Sequence, residues 1–212
     1  MGSRLTFNLN FDENMVEKST QTGHYRAGPS LSAMARAAVG TASRSDLLQP
    51  LLDELAEKTD NSAAYFDFIG DALLMSAKKE QPHSCHYIAL HSRNYQIAAH
   101  GFSRAVLAFM EWDEVERILK VCKQLQIIPD ARYRTLLRDI RAAGVCIESG
   151  DSHPSWTRVA APVFDANGPV PVGAIGISAV TGTFDRQSAD GFVEAVIESA
   201  QYASALLGGN YD

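Results

Sequence analysis

Two stretches of strand character, residues 158–164 and 172–178, are separated by Asp165-Ala166-Asn167-Gly168-Pro169. That run holds the residue types that reverse a chain, so the second strand is expected to run back along the first. No other feature restricts the fold as much, because it commits the C-terminal half to an antiparallel pair. Residues 64–69, 72–75, 87–90 and 145–147 also read as strands, with Gly70-Asp71 as the turn between the first two. A shorter hairpin is expected near the start, where Met15-Val16-Glu17-Lys18 and Gly23-His24-Tyr25-Arg26 flank a polar, glycine-containing loop.

Helical periods separate these strands. Leu31, Met34, Ala35 and Ala38 recur at helix spacing behind Ser30, a capping type, and their narrow Ala-rich face suits packing on another helix. Leu51, Leu52, Leu55 and Ala56 mark an amphipathic helix with Pro50 in its first turn or kinking it. A short helix begins near Ser103 and carries Ala105, Val106, Leu107 and Phe109; Asp113 and Glu116 resemble a capping pair ahead of Val115, Ile118, Leu119 and Cys122. Asp130 is expected to cap a helix whose apolar stripe is Tyr133, Leu136, Leu137 and Ile140, with Gly144 ending it. A last helix spans about residues 186–207, with Phe192, Val196, Ala200, Ala203 and Leu207 on one side. The order helix, strands, helices, strands, helix does not alternate as βαβ units do. An α+β fold on an antiparallel sheet flanked by helices is therefore expected.

Charge narrows the function. The 212 residues carry a formal net charge of −6, so the chain as a whole is a poor binder of polyanions. Cys85, Cys122 and Cys146 are too few and odd in number for a disulfide framework. The sequence shows no signal peptide and no apolar run of membrane-spanning length. These features point to a cytoplasmic protein without a membrane partner.

Three ordered blocks carry a resemblance. Leu136-Leu137-Arg138-Asp139-Ile140-Arg141-Ala142-Ala143-Gly144, then Arg158-Val159-Ala160-Ala161-Pro162-Val163-Phe164-Asp165, then Gly173-Ala174-Ile175-Gly176-Ile177-Ser178 resemble the effector domain of IclR-type transcriptional regulators. Gly101-Phe102-Ser103-Arg104-Ala105-Val106-Leu107-Ala108-Phe109 is similar to that family's loop-to-helix motif, and Gly23-His24-Tyr25-Arg26-Ala27-Gly28-Pro29 to the close of its wing. Residues 1–29 would then be a remnant of a winged helix-turn-helix, 30–44 a linker and dimerisation helix, and 45–212 a GAF-like effector-binding domain. Upstream of the hairpin only residues 4–13 remain, too few for the three helices of such a DNA reader. DNA binding is therefore expected only through a complete winged helix-turn-helix, whose recognition helix this chain is expected to lack.

The resemblance implies a transcription regulator that senses a small effector, forms a homodimer or homotetramer, and needs no cofactor, metal or catalytic residue. It places Gly101, Phe102, Glu148, Trp156, Arg158, Gly176 and Ser178 around the effector. Parity agrees with part of this set, since Trp156 and Arg158 share one face of a strand and Gly176 and Ser178 share one face of its partner. Gly101 and Phe102 are expected just ahead of a helix start, where free N–H groups favour a small carboxylate. Arg158 is suited to grip a carboxylate through two parallel hydrogen bonds, with Trp156 as an aromatic wall. The other reading of Arg158 is a buried ion pair with Glu148 or Asp151.

Departures from the family pattern stand at Phe102, Ser103, Arg104, Asp151 and Gly176. A GAF-like signalling module without DNA binding is the alternative reading, and a hydrolase is a weaker one. Ser103 with His100, or Cys146 with His153, would supply a nucleophile and a base, yet neither has a third orienting partner in sequence. His83, Cys85, His86 and His91 are metal-capable, although His83 and His86 would face opposite sides of a strand.

Overall fold

Residues 16–18, 25–28, 30, 43–84, 93–94, 97–121, 130–184 and 186–211 are described by the computed structural model. The chain divides into one unit of residues 1–43 and another of residues 44–212. In the first unit, β1 (Val16–Lys18) pairs antiparallel with β2 (Tyr25–Ala27), as the hairpin reading expects. The expected linker helix falls largely on residues 31–42, outside the described residues, as do the expected strand at 87–90 and the metal-capable Cys85, His86 and His91.

The second unit runs α1 (Arg44–Thr59), β3 (Ser62–Ile69), β4 (Ala72–Lys79), β5 (Arg93–Asn94), α2 (Gly101–Leu107), α3 (Trp112–Val121), α4 (Ala131–Ala143), β6 (Cys146–Ser149), β7 (Trp156–Val163), β8 (Gly173–Val180) and α5 (Arg186–Leu206). Its strands form one antiparallel sheet in the order β5-β4-β3-β8-β7-β6. β3 and β8 thus lie at the centre with β7 next to β8, and the class expected from the element order is the one observed.

Alternation along the strands divides the core in two. Ala64, Phe66, Leu73, Met75, Cys146, Ala160 and Ala174 pack with α2, α3 and α4 on one face. Ala63, Tyr65, Ala77, Val159, Ala161, Val163, Ile175 and Ile177 pack with α1 and α5 on the other. Since neighbours in sequence point to opposite faces, β7 and β8 are buried on both sides, which explains their near-continuous apolar character. Among the described residues, no helix is long and apolar enough to cross a membrane.

Several helix boundaries differ from expectation, each for a local reason. Of the two placements expected for Pro50, the first turn is set aside: it lies inside α1, and the turn before it is held by Leu48, which is fully buried. Asp113 and Glu116 are not a capping pair: α3 already begins at Trp112, and the Glu116 carboxylate accepts from Trp112 Nε1 at 2.6 Å and Lys120 Nζ at 3.0 Å. Leu136 is 36% exposed, so the buried stripe of α4 is Tyr133, Leu137 and Ile140. Asp130 and Gly144 do bound that helix. Asp130 accepts from the N–H groups of Arg132 and Tyr133, and Gly144 takes φ 71°, a left-handed conformation natural to glycine.

Candidate functional site

The sheet register sets Glu148 opposite Arg158, and Arg158 opposite Ser178. Ser178 in turn stands opposite Ser62, so four polar residues cross the sheet in one row. The adjacent row on the same face is Cys146, Ala160, Gly176 and Ala64, small side chains that leave room for α2 above them. All four members of the polar row are buried. Polar groups in such a place must bond one another, or their burial costs free energy with no return.

Most of them do. Arg158 Nη1 donates to Glu148 Oε2 at 2.7 Å and also to Ser152 Oγ. Ser152 completes the clasp, donating its N–H to Glu148 Oε1 at 3.0 Å and its hydroxyl to Oε2 at 2.9 Å. The Arg158 guanidinium carbon sits 4.8 Å from the Trp156 ring centroid, a cation–π arrangement, and His153 stacks on that ring at 4.7 Å. Ser84 closes the far end of the row, donating to the Ser178 carbonyl at 2.9 Å.

Above the row stands Gly101. A methyl group added there would lie 3.2 Å from the Cβ atoms of both Arg158 and Glu148, so the helix rests directly on the ion pair. Gly101 and Phe102 are the first two residues of α2, with His100 as N-cap, and not residues ahead of the helix as expected. The apolar packing of this segment explains the shift: every residue of α2 is buried, and Phe102 turns its ring into a cluster with Phe66 and His100, at 4.7 and 5.5 Å. Gly176 is dictated by backbone approach, since a Cβ there would stand 2.1 Å from the Val159 carbonyl oxygen.

Two buried polar atoms have no hydrogen-bond partner among the described residues: Arg158 Nε and His100 Nδ1. Burial holds the His100 imidazole well below its usual pKa range, and the positive charges of Arg158 and Arg104 push the same way. The ring is therefore neutral at ordinary pH.

The structure thus brings Gly101, Glu148, Trp156, Arg158 and Ser178 into one locality, with Gly176 in the next row and the ring of Phe102 packed on Phe66 and His100. Of the two readings of Arg158, the ion pair with Glu148 forms and leaves Nε unengaged. Asp151 instead pairs with Arg104 at 2.5 Å, so two departures from the family pattern answer each other. Ser152 and His100 are the members of this locality that sequence reading left out of the set. Ser152, four residues after Glu148 in a polar turn, was findable as a local side-chain-to-backbone bond. His100 carried no comparable signal.

The nucleophile pairs do not assemble. Ser103 Oγ donates to the carbonyls of Ile97 and His100 at 2.5 and 2.8 Å, which commits its proton to the main chain. Cys146 is buried, and burial pushes its thiol up to about 12, so it holds its proton at any physiological pH. His83 is bound to Asp60 at 2.9 Å, and no group of three metal-capable side chains occurs among the described residues.

Residues 38–205 match the family described as bacterial transcriptional regulator IclR C-terminal. The HTH-type transcriptional regulator BhcR of Paracoccus denitrificans is 25% identical over 195 residues, which cover 90% of this chain and 70% of that protein. Solved structures share the fold. The IclR of Thermotoga maritima has a TM-score of 0.72 at 20% identity, covering 93% of this chain and 81% of that one. The Agrobacterium tumefaciens repressor BlcR has a TM-score of 0.71 at 14% identity, covering 94% of this chain and 81% of that one.

Proposed function

The chain belongs to the IclR family of bacterial transcriptional regulators, a family of regulators and not of enzymes, and from that premise we propose that residues 45–212 sense a small carboxylate or aromatic metabolite and control DNA binding allosterically. Residues 1–29 are then part of a winged helix-turn-helix and 30–44 the linker and dimerisation helix. The assembly is a cytoplasmic homodimer or homotetramer that contacts DNA through a complete winged helix-turn-helix.

One observation carries the sensing part of this reading. The buried row under Gly101 leaves Arg158 Nε, a charged donor, and His100 Nδ1 without partners among the described residues. A donor of that kind is costly to bury unsatisfied and is best completed by an anionic acceptor. Glu148 and Ser152 hold the guanidinium in place, so a carboxylate that reaches it meets a fixed target. The ligand shifts the regulator only to the extent that it binds one packing of α2 on the sheet better than another.

A thermal-shift screen against small organic acids tests the reading. We expect a saturable rise in Tm with the cognate acid, absent in Arg158→Ala protein that remains folded by circular dichroism. An unchanged shift in that variant rejects Arg158 as the anchor. Light scattering tests the assembly, and a monodisperse monomer contradicts it.

A further inference from the structure

Away from the Arg158 row, a cavity of about 480 Å³ opens between α4, the turn joining β7 to β8, and the segment that follows α5. Phe109, Arg141, Phe164, Asp165, Gly168 and Gly208 are among its walls, and none of its lining residues belongs to the site described above. Its volume lies within the range of small-molecule sites.

We propose that this cavity is a second binding site, one that takes a small planar aromatic carboxylate. The charge argument comes first. Asp165 is the acid in the wall, and both its oxygens are engaged: Arg44, which also pairs with Asp67, donates through Nη2 to its Oδ2 at 3.0 Å, Asn167 Nδ2 donates to the same oxygen at 2.8 Å, and the Asn167 N–H donates to Oδ1 at 2.9 Å. Arg141 is the cation in the wall, and no carboxylate among the described residues forms an ion pair with it. Its guanidinium is instead laid over the Phe109 ring at 5.5 Å. That stacking orders the head group while leaving its N–H edge available for a bidentate acceptor.

The aromatic argument is independent. Phe109 and Phe164 meet edge to face, with centroids 5.3 Å apart and planes at 81°. Phe164 is fixed from behind by Tyr211, at 5.6 Å and 85°, and the Tyr211 hydroxyl donates to the Gly144 carbonyl at 2.8 Å. The two walls form a rigid corner suited to one further flat ring. A ring placed in that corner with its carboxylate toward Arg141 satisfies the uncompensated cation and covers the part of Phe109 that remains open to solvent.

The test is a benzoate titration of the whole chain followed by 1H–15N correlation spectroscopy, with benzamide as the neutral control. The amides of Ala166, Gly168 and Gly208 are expected to shift saturably with millimolar benzoate and far less with benzamide. Arg141→Gln should weaken benzoate about ten-fold or more and erase the preference over benzamide. Ala166→Trp, at an exposed cavity-lining position, should abolish the shifts by filling the space while Trp156 and Gly101 signals stay in place. Shifts confined to the Gly101 and Trp156 region, equal responses to benzoate and benzamide, or a wild-type titration in Arg141→Gln each overturn the proposal.

Discussion

Arg158 Nη1 donates to Glu148 Oε2 at 2.7 Å across two neighbouring strands, and both side chains are almost wholly removed from water. Such a pair contributes little net stability compared with apolar residues of similar volume, yet removing one partner leaves an uncompensated buried charge. Arg158→Met alone is therefore expected to destabilise the fold by about 3–5 kcal/mol in urea denaturation. The double variant Glu148→Met/Arg158→Met should recover most of that loss. Additive losses in the double-mutant cycle would show that the two side chains act separately.

His100 makes stability depend on pH. Its folded-state pKa is depressed by burial and by two nearby guanidinium groups. The unfolded chain therefore takes up a proton at a higher pH than the folded chain does. The stabilisation from a neutral His100 is fully present above the ordinary imidazole range. It falls as the pH drops through that range toward the folded-state value, by up to about 1.4 kcal/mol per pH unit for one proton. Denaturant midpoints at pH 7.5 and 5.5, compared between wild type and His100→Gln, measure this. The variant should lose stability less steeply on acidification, and parallel slopes would rule out His100 as the source.

Two glycines on the same face should respond differently to alanine. At Gly176 the new Cβ would stand 2.1 Å from the Val159 carbonyl oxygen, a main-chain atom of the neighbouring strand β7 that cannot swing away. Gly176→Ala is expected to cost at least about 3 kcal/mol, or to give insoluble protein. At Gly101 the contacts are 3.2 Å, to two side-chain carbons, and at this first helical residue alanine gains only part of the roughly 1 kcal/mol it gains in a helix interior. Gly101→Ala should therefore fold with a change within about 1–2 kcal/mol. Its altered seat on Arg158 and Glu148 should blunt the response to acids. Equal stability loss in the two variants would contradict the distinction.

Asp130 offers a simpler measurement. Its carboxylate accepts from two N–H groups in the first turn of α4, at 3.0 and 2.9 Å. Asp130→Ala should lower stability by about 1 kcal/mol, and Asp130→Ser should restore much of it.

Local periodicity and turn chemistry were enough to read most of the architecture. The Asp165–Pro169 turn, the Asp130 and Gly144 helix limits and the runs of strand character depend on interactions within a few residues, so they are written in neighbouring letters. Parity alone likewise put Trp156 with Arg158 and Gly176 with Ser178, because strand side chains alternate strictly. The site as a physical object was decided elsewhere. Strand register, set by packing of both sheet faces, brought Glu148 from β6 opposite Arg158 on β7. The burial of all of α2 drew Gly101 into the helix and onto that pair. No short-range pattern records such contacts, since they arise only when distant segments compete for the same buried space.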